Sequence, residues 1–176
     1  SSRQRSLMMQ QEKSGLTTSG RILIIGFGPA GQEVADALIK EKLRPEVIEL
    51  NPKTAQIARE KGLPLHLGDA SGTEMLEKGG IHEACIVVVT VPDPRSAAQI
   101  IRTIHLLSPN LPVIARSRYK IAVPDLQRAG AVVIDEEHTV GIAIAREVIE
   151  VLRQPQNEAM ACALAGQRPE EENPRD

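Results

Sequence analysis

Between residues 21 and 152, short continuous apolar runs alternate with stretches whose apolar positions recur every three or four residues. The first pattern suits strands buried on both faces, and the second suits amphipathic helices. Residues 21–25 (RILII) predict a strand, and residues 30–42 a helix with Val34, Ala35, Leu38 and Ile39 on one face. A strand over 45–50 follows, then a helix that Pro52 opens, Lys61 ends and Gly62 closes. Pro at the first helical position and Gly just past the last are the ordinary punctuation of a helix. Next come a short strand at 64–67, a short helix at 73–79 and the most apolar strand, ACIVVVTV at 84–91, which belongs at the sheet centre. The series ends with a helix over 95–107, a strand over 112–116, a helix over 121–129 closed by Gly130, a strand over 131–134 and a long helix over 136–152.

Six strands with interposed helices predict an α/β fold, a Rossmann-like doubly wound parallel sheet. Right-handed crossovers favour the strand order 3-2-1-4-5-6, and a ligand crevice is expected at the carboxyl ends where the order reverses. Residues 1–20 are polar and read as a linker or flexible lead-in. Residues 153–176, broken by Pro155 and rich in Pro and Glu, read as a disordered tail. The Rossmann-like domain is therefore expected over 21–152. The chain opens at Ser1 without Met, as a piece of a larger protein would.

Composition narrows the function. The chain has no Trp, one Tyr (Tyr119) and one Phe (Phe27), so its core must be built from Ile, Leu, Val and Ala. Stacking platforms for single-stranded nucleic acid need aromatic rings, and a net charge of −2 gives no basic footprint for nucleic acid. Cys85 and Cys162 form neither a disulfide framework nor a metal pair, which suits a reducing compartment. No apolar run approaches the roughly 18–20 residues that span a bilayer, so this piece is expected to be soluble. The four histidines, His66, His82, His105 and His138, lack metal-ligand spacing and suit surface or capping roles.

The chemistry concentrates in RILIIGFGPAG, residues 21–31. Gly26, Gly28 and Gly31 have G-x-G-x-x-G spacing between a strand and a helix, the setting in which that motif cradles a phosphate. Gly26 suits the tight turn, Gly28 the close approach of a phosphate and Gly31 the close packing of helix on sheet. Phe27, Pro29 and Ala30 complete the loop. Glu49, 21 residues beyond Gly28, ends the second strand, where a carboxylate accepts ribose hydroxyls and repels a 2′-phosphate. Leu50 and Asn51 follow it, and Asn51 serves equally well as a helix N-cap. Gly68, Asp69 and Ala70 end the third strand; Asp69 suits the adenine amino group or a helix cap, and Ala70 leaves room for a base. Thr90 ends the fourth strand as a candidate donor to phosphate or ribose. Arg116 and Arg118 flank the end of the fifth as candidate phosphate ligands or plain surface arginines. No nucleophile, general base or G-K-[ST] lysine stands out.

GFGPAG, IELNP, GDAS, VVVTVPDP and VIARSR thus fall in order at the ends of the first five strands. Together they resemble the TrkA-N or KTN type of RCK domain, the cytoplasmic regulatory domain of potassium channels and of Kef-type monovalent cation:proton antiporters. The ARSR segment and the lack of a following RCK-C module are most similar to the antiporter branch, including Kef and YbaL-like proteins. The resemblance implies a nucleotide sensor and no enzyme. The glycine loop would hold phosphates, Glu49 ribose, and Asp69 with Ala70 would border adenine. It also implies a homodimer joined to a membrane transport domain at the cytoplasmic face of the bacterial inner membrane, through the segment 1–20. Many relatives carry Arg after the second glycine, where this chain has Pro29. That loss of charge favours AMP over NAD(H), ADP or ATP. The competing readings are the cofactor half of an NAD-dependent dehydrogenase, which here lacks a substrate domain, and a scaffold without ligand. The final helix, with Val140, Ile144, Val148 and Val151 near one face, is a candidate dimer surface or a helix that packs on the sheet.

Overall fold

The computed structural model describes residues 18–156 and Cys162. Most of the lead-in 1–20 and of the tail 153–176 therefore lies outside the described residues. Two compact units divide the chain after Glu136. The first holds β1 (Arg21–Ile25), α1 (Pro29–Lys40), β2 (Glu46–Glu49), α2 (Pro52–Glu60), β3 (Leu65–Leu67), α3 (Thr73–Lys78), β4 (Ala84–Val89), α4 (Pro94–Leu107), β5 (Val113–Ser117), α5 (Val123–Ala129) and β6 (Val132–Asp135). The second is formed by α6, which starts from Glu136 and runs to Leu152. No residue of α6 is buried.

All six strands pair in parallel in the order β3-β2-β1-β4-β5-β6, as expected. Helices cover both sides of the sheet. On one side Ala35 of α1 and Ala58 of α2 pack with Ile24, Val47 and Phe27, all fully buried. On the other, Leu76 of α3, Ile101 and Ile104 of α4 and Leu126 of α5 close over Leu23, Ile25, Val87 and Val89. Adjacent β1 residues thus feed opposite sides, as the two-residue period of a strand requires.

Element boundaries moved by a few residues, each for a local reason. The first helix stops at Lys40, because Lys42 turns left-handed at φ 62° and its N–H bonds to Ile39 O. The apolar run at 84–91 is a strand only to Val89, since Thr90 and Val91 lead into the crevice. The helix expected from residue 121 begins as a 3-10 turn over Lys120–Ala122. Pro52 and Pro94 take the first helical positions of α2 and α4, behind N-caps Asn51 and Asp93.

Candidate functional site

The register of β1 against β4 places Ile25 opposite Val89, and so brings Thr90 beside Gly26. A crevice of about 460 Å³ opens there, at the carboxyl ends of the strands where the order reverses. Its wall gathers Gly26, Gly28, Pro29 and Ala30 from the first loop with Glu49, Leu50 and Asn51 from the second. Gly68, Asp69 and Ala70 join from the third, Thr90 from the fourth and Arg116 from the fifth. Residues as far apart in sequence as Gly26 and Arg116 meet because every β-to-α connection leaves the same end of the sheet.

The three glycines answer to different demands. Gly26 has φ 90°, which favours glycine, and a Cβ there would press on Thr90 Oγ1 at 3.0 Å. A Cβ on Gly31 would collide with the carbonyl oxygen of Gly26 and lie 3.1 Å from Thr90 Oγ1. Gly28 is different. Its φ is −64°, open to any residue, and a Cβ would meet nothing within 4 Å. Neither backbone strain nor internal packing calls for glycine at 28. The space that its missing Cβ leaves faces the crevice and α1's N-terminus, whose first N–H groups have no helical acceptor. This cradle fits a phosphate.

Glu49 ties the loops together. Its Oε2 accepts from Phe27 N–H at 2.6 Å and its Oε1 from Asn51 N–H at 2.8 Å. Each carboxylate oxygen accepts more than one bond, so Glu49 retains capacity for a ribose hydroxyl. The Phe27 side chain points into the core and is fully buried, so only its backbone belongs to the loop. Gln32 Nε2 donates to Phe27 O at 2.9 Å and steadies the same turn. Asn51 takes the capping role: its Oδ1 accepts from the N–H groups of Lys53 at 2.9 Å and Thr54 at 3.4 Å.

Asp69 forms a tight turn, with Oδ1 accepting from Ser71 N–H at 2.9 Å. That backbone bond first, and the Ser71 hydroxyl second, hold its carboxyl below the ordinary value, so it stays ionised. Ser71 O in turn accepts from Thr103 Oγ1 of α4 at 2.9 Å, which fixes the loop over the crevice. The Thr90 hydroxyl hydrogen is directed at Gly26 O, 2.8 Å away. Thr90 thus braces the glycine loop from beneath while lining the crevice.

Arg116 and Arg118 part company. Arg116, half-buried, lines the crevice, donates from Nε to Thr90 O at 2.9 Å and sets Nη1 3.4 Å from Glu136 Oε2. Arg118 lies one residue beyond β5, is exposed, and stacks its guanidinium 5.9 Å from the Tyr119 ring centroid, away from the crevice wall. Sequence reasoning passed over Thr54, Ser71, Val91, Pro92, Ser96 and Ile100, which also line the crevice. Ser71 stood beside a chosen motif, and Pro92 and Ser96 flank the Asp93 cap. Thr54 and Ile100 carried no local signal. His66 pairs with Glu46 at 3.2 Å, and His105 reaches Ala129 O and Leu111 O at 3.2 and 3.0 Å; neither is near the crevice wall. Among the described residues no helix is long and apolar enough to cross a membrane.

Solved structures of other proteins share this fold. The TrkA-N domain of the inner membrane protein YbaL from Escherichia coli matches with TM-score 0.67 and 25% identity, over 78% of this chain and 100% of that one. The AMP-bound C-terminal domain of Kef from Shewanella denitrificans matches with TM-score 0.63 and 23% identity, over 84% and 90%. The NAD-bound GsuK channel matches with TM-score 0.60 and 23% identity over 66% of this chain, which spans only 21% of that channel. The last two likenesses speak for the fold. The family model of the TrkA-N domain matches residues 22–136, from the second residue of β1 to the first residue of α6. The glycine loop, the strand order and this match together show that the chain belongs to the TrkA-N domain family.

Proposed function

We propose that this chain is a nucleotide-sensing regulatory domain of a monovalent-cation transport protein of the Kef antiporter type, with AMP as the favoured ligand. Gly28 carries the reading: neither its φ of −64° nor its neighbours demand glycine, and its bare Cα leaves open space on the crevice at the N-terminus of α1. In this assignment the first N–H groups of α1 hold the phosphate, Glu49 the ribose, and Asp69 and Ala70 border the base. Leu50, 65% exposed at the crevice mouth, supplies apolar cover. Pro29 adds neither an N–H nor a charge, and among the described residues Arg116 is the one cation on the wall. That donor set suits a single phosphate better than two or three, which ranks AMP ahead of NAD(H), ADP and ATP. The AMP-bound Kef domain supports the order, and the NAD-bound GsuK channel keeps NAD(H) in the test.

The same reading makes the domain a sensor without turnover, paired as a homodimer and joined through the segment 1–20 to a transport domain in the membrane. The dimer rests on apolar surface that the described residues leave uncovered. Val132 and Ile134 of β6 are 66% and 49% exposed, and Val140, Ile144, Val148 and Val151 of α6 are all exposed. Such surface in one chain marks an interaction site.

Calorimetric titration of the purified domain with AMP, ADP, ATP, NAD⁺ and NADH tests the proposal. AMP should bind tightest. Failure of all five to bind at millimolar concentration overturns the sensor reading, and NADH oxidation with a small carbonyl compound replaces it with a dehydrogenase.

A further inference from the structure

The geometry points to a ligand-sensitive relay, Gly26–Thr90–Arg116–Glu136, in which an anion in the crevice and the first residue of α6 compete for one guanidinium. The inference rests on the proposed nucleotide site and adds how binding there is passed on. The contacts form an unbroken line. Thr90 Oγ1 donates to Gly26 O at 2.8 Å, under the loop that faces the phosphate. Arg116 Nε donates to Thr90 O at 2.9 Å, and Arg116 Nη1 lies 3.4 Å from Glu136 Oε2. Arg116 is thus held at its Nε end and loosely engaged at its tip. Arg116 lines the crevice, and its partner Glu136 opens a 17-residue helix.

A separation of 3.4 Å is long for a charge-assisted bond, which ordinarily closes to about 2.7–2.9 Å. The pair is also part-solvated, with the Glu136 side chain 42% exposed. A pair of this kind is weak and easily displaced. A phosphate in the crevice offers Arg116 a second anion, repels the Glu136 carboxylate and draws the guanidinium tip toward itself. The Nε bond to Thr90 O acts as the pivot. Glu136 then loses this contact, and the first turn of α6 is less restrained. Linkage makes the effect reciprocal: whatever the ligand does to the Arg116–Glu136 pair, the pair does to the ligand's affinity.

The test titrates AMP into the wild-type domain, Glu136→Gln, Arg116→Gln and the double variant. Glu136→Gln should tighten AMP binding about two- to fivefold, the range that a half-exposed ion pair can supply. In the Arg116→Gln background the same change should have no effect. Amide exchange gives a second readout: AMP should speed exchange over residues 140–143 in the wild type and leave it unchanged in Glu136→Gln. If Glu136→Gln leaves affinity unchanged, or its gain persists without Arg116, the relay is overturned while the nucleotide site stands. If AMP, ADP, ATP, NAD⁺ and NADH all fail to bind the wild type, the functional reading falls, and the relay falls with it.

Discussion

Gly28→Ala and Gly31→Ala alter the same loop three residues apart, yet they should fail in different assays. At Gly31 the new methyl would collide with Gly26 O, a backbone atom bonded to Thr90 Oγ1, and would also press on that hydroxyl at 3.1 Å. Neither neighbour is a flexible side-chain end, so α1 must shift off the sheet. Overpacking of that kind costs about 1–3 kcal/mol, against a gain of up to about 1 kcal/mol for Ala over Gly inside a helix. The net loss is about 1–2 kcal/mol. At about 2–4 °C per kcal/mol for a domain of this size, Tm should fall by about 2–8 °C. At Gly28 the methyl enters open space at an ordinary φ of −64°. The entropy gain in the unfolded chain, about 0.4–1 kcal/mol, roughly offsets the loss of a glycine cap, so Tm should move by no more than about 2 °C. AMP affinity should nevertheless drop tenfold or more, because the methyl occupies the phosphate's approach; tenfold is about 1.4 kcal/mol. Thermal denaturation with calorimetric titration separates the two. Equal Tm losses, or wild-type AMP affinity in Gly28→Ala, would refute the reasoning.

Glu49→Ala should hurt both stability and binding, because it strips the acceptor from Phe27 N–H; a part-buried donor left unpaired costs about 1–3 kcal/mol. Urea denaturation beside AMP titration checks it, and Glu49→Gln, which keeps one accepting oxygen, should fall between. Asn51→Ala removes the cap of α2 and should cost about 1 kcal/mol of stability, read as a lower urea midpoint. Asp93 caps α4, and its bonds from the Ser96 hydroxyl first and the Ser96 N–H second hold its carboxyl below the ordinary value. A depressed folded value stabilises above the unfolded value, about 3.9, and that contribution is lost as pH falls through the folded one. Asp93→Asn cannot titrate, so its denaturation midpoint should fall less steeply than the wild type's between pH 5 and 2.5; parallel curves would remove Asp93 from the acid response.

The fold was legible because its rules are local. Each strand shows as an apolar run, each helix as a stripe with Pro, Asn or Gly at its ends, and parallel order follows from chain handedness. The crevice was legible for the related reason that every β-to-α loop leaves one end of such a sheet. What each side chain does there was not legible, because it depends on register. Thr90 and Gly26 lie 64 positions apart, and only the pairing of Ile25 with Val89 sets that hydroxyl under the loop and spends its hydrogen there. Glu49 reaches Phe27 N–H through a separation of 22, while the Phe27 ring, one residue from two glycines, turns into the core. Arg116 and Arg118 look alike in sequence. The strand ends between them, so the pleat directs one to the crevice and leaves the other over Tyr119. The sequence alone determined the elements, their order and the end of the sheet where the crevice opens, since burial of apolar runs and the turn preferences of Gly and Pro act over a few residues. Only the tertiary structure decided which donors are already spent, which glycine the fold does not need and which arginine faces the site, since those depend on atoms that the chain brings together from distant positions.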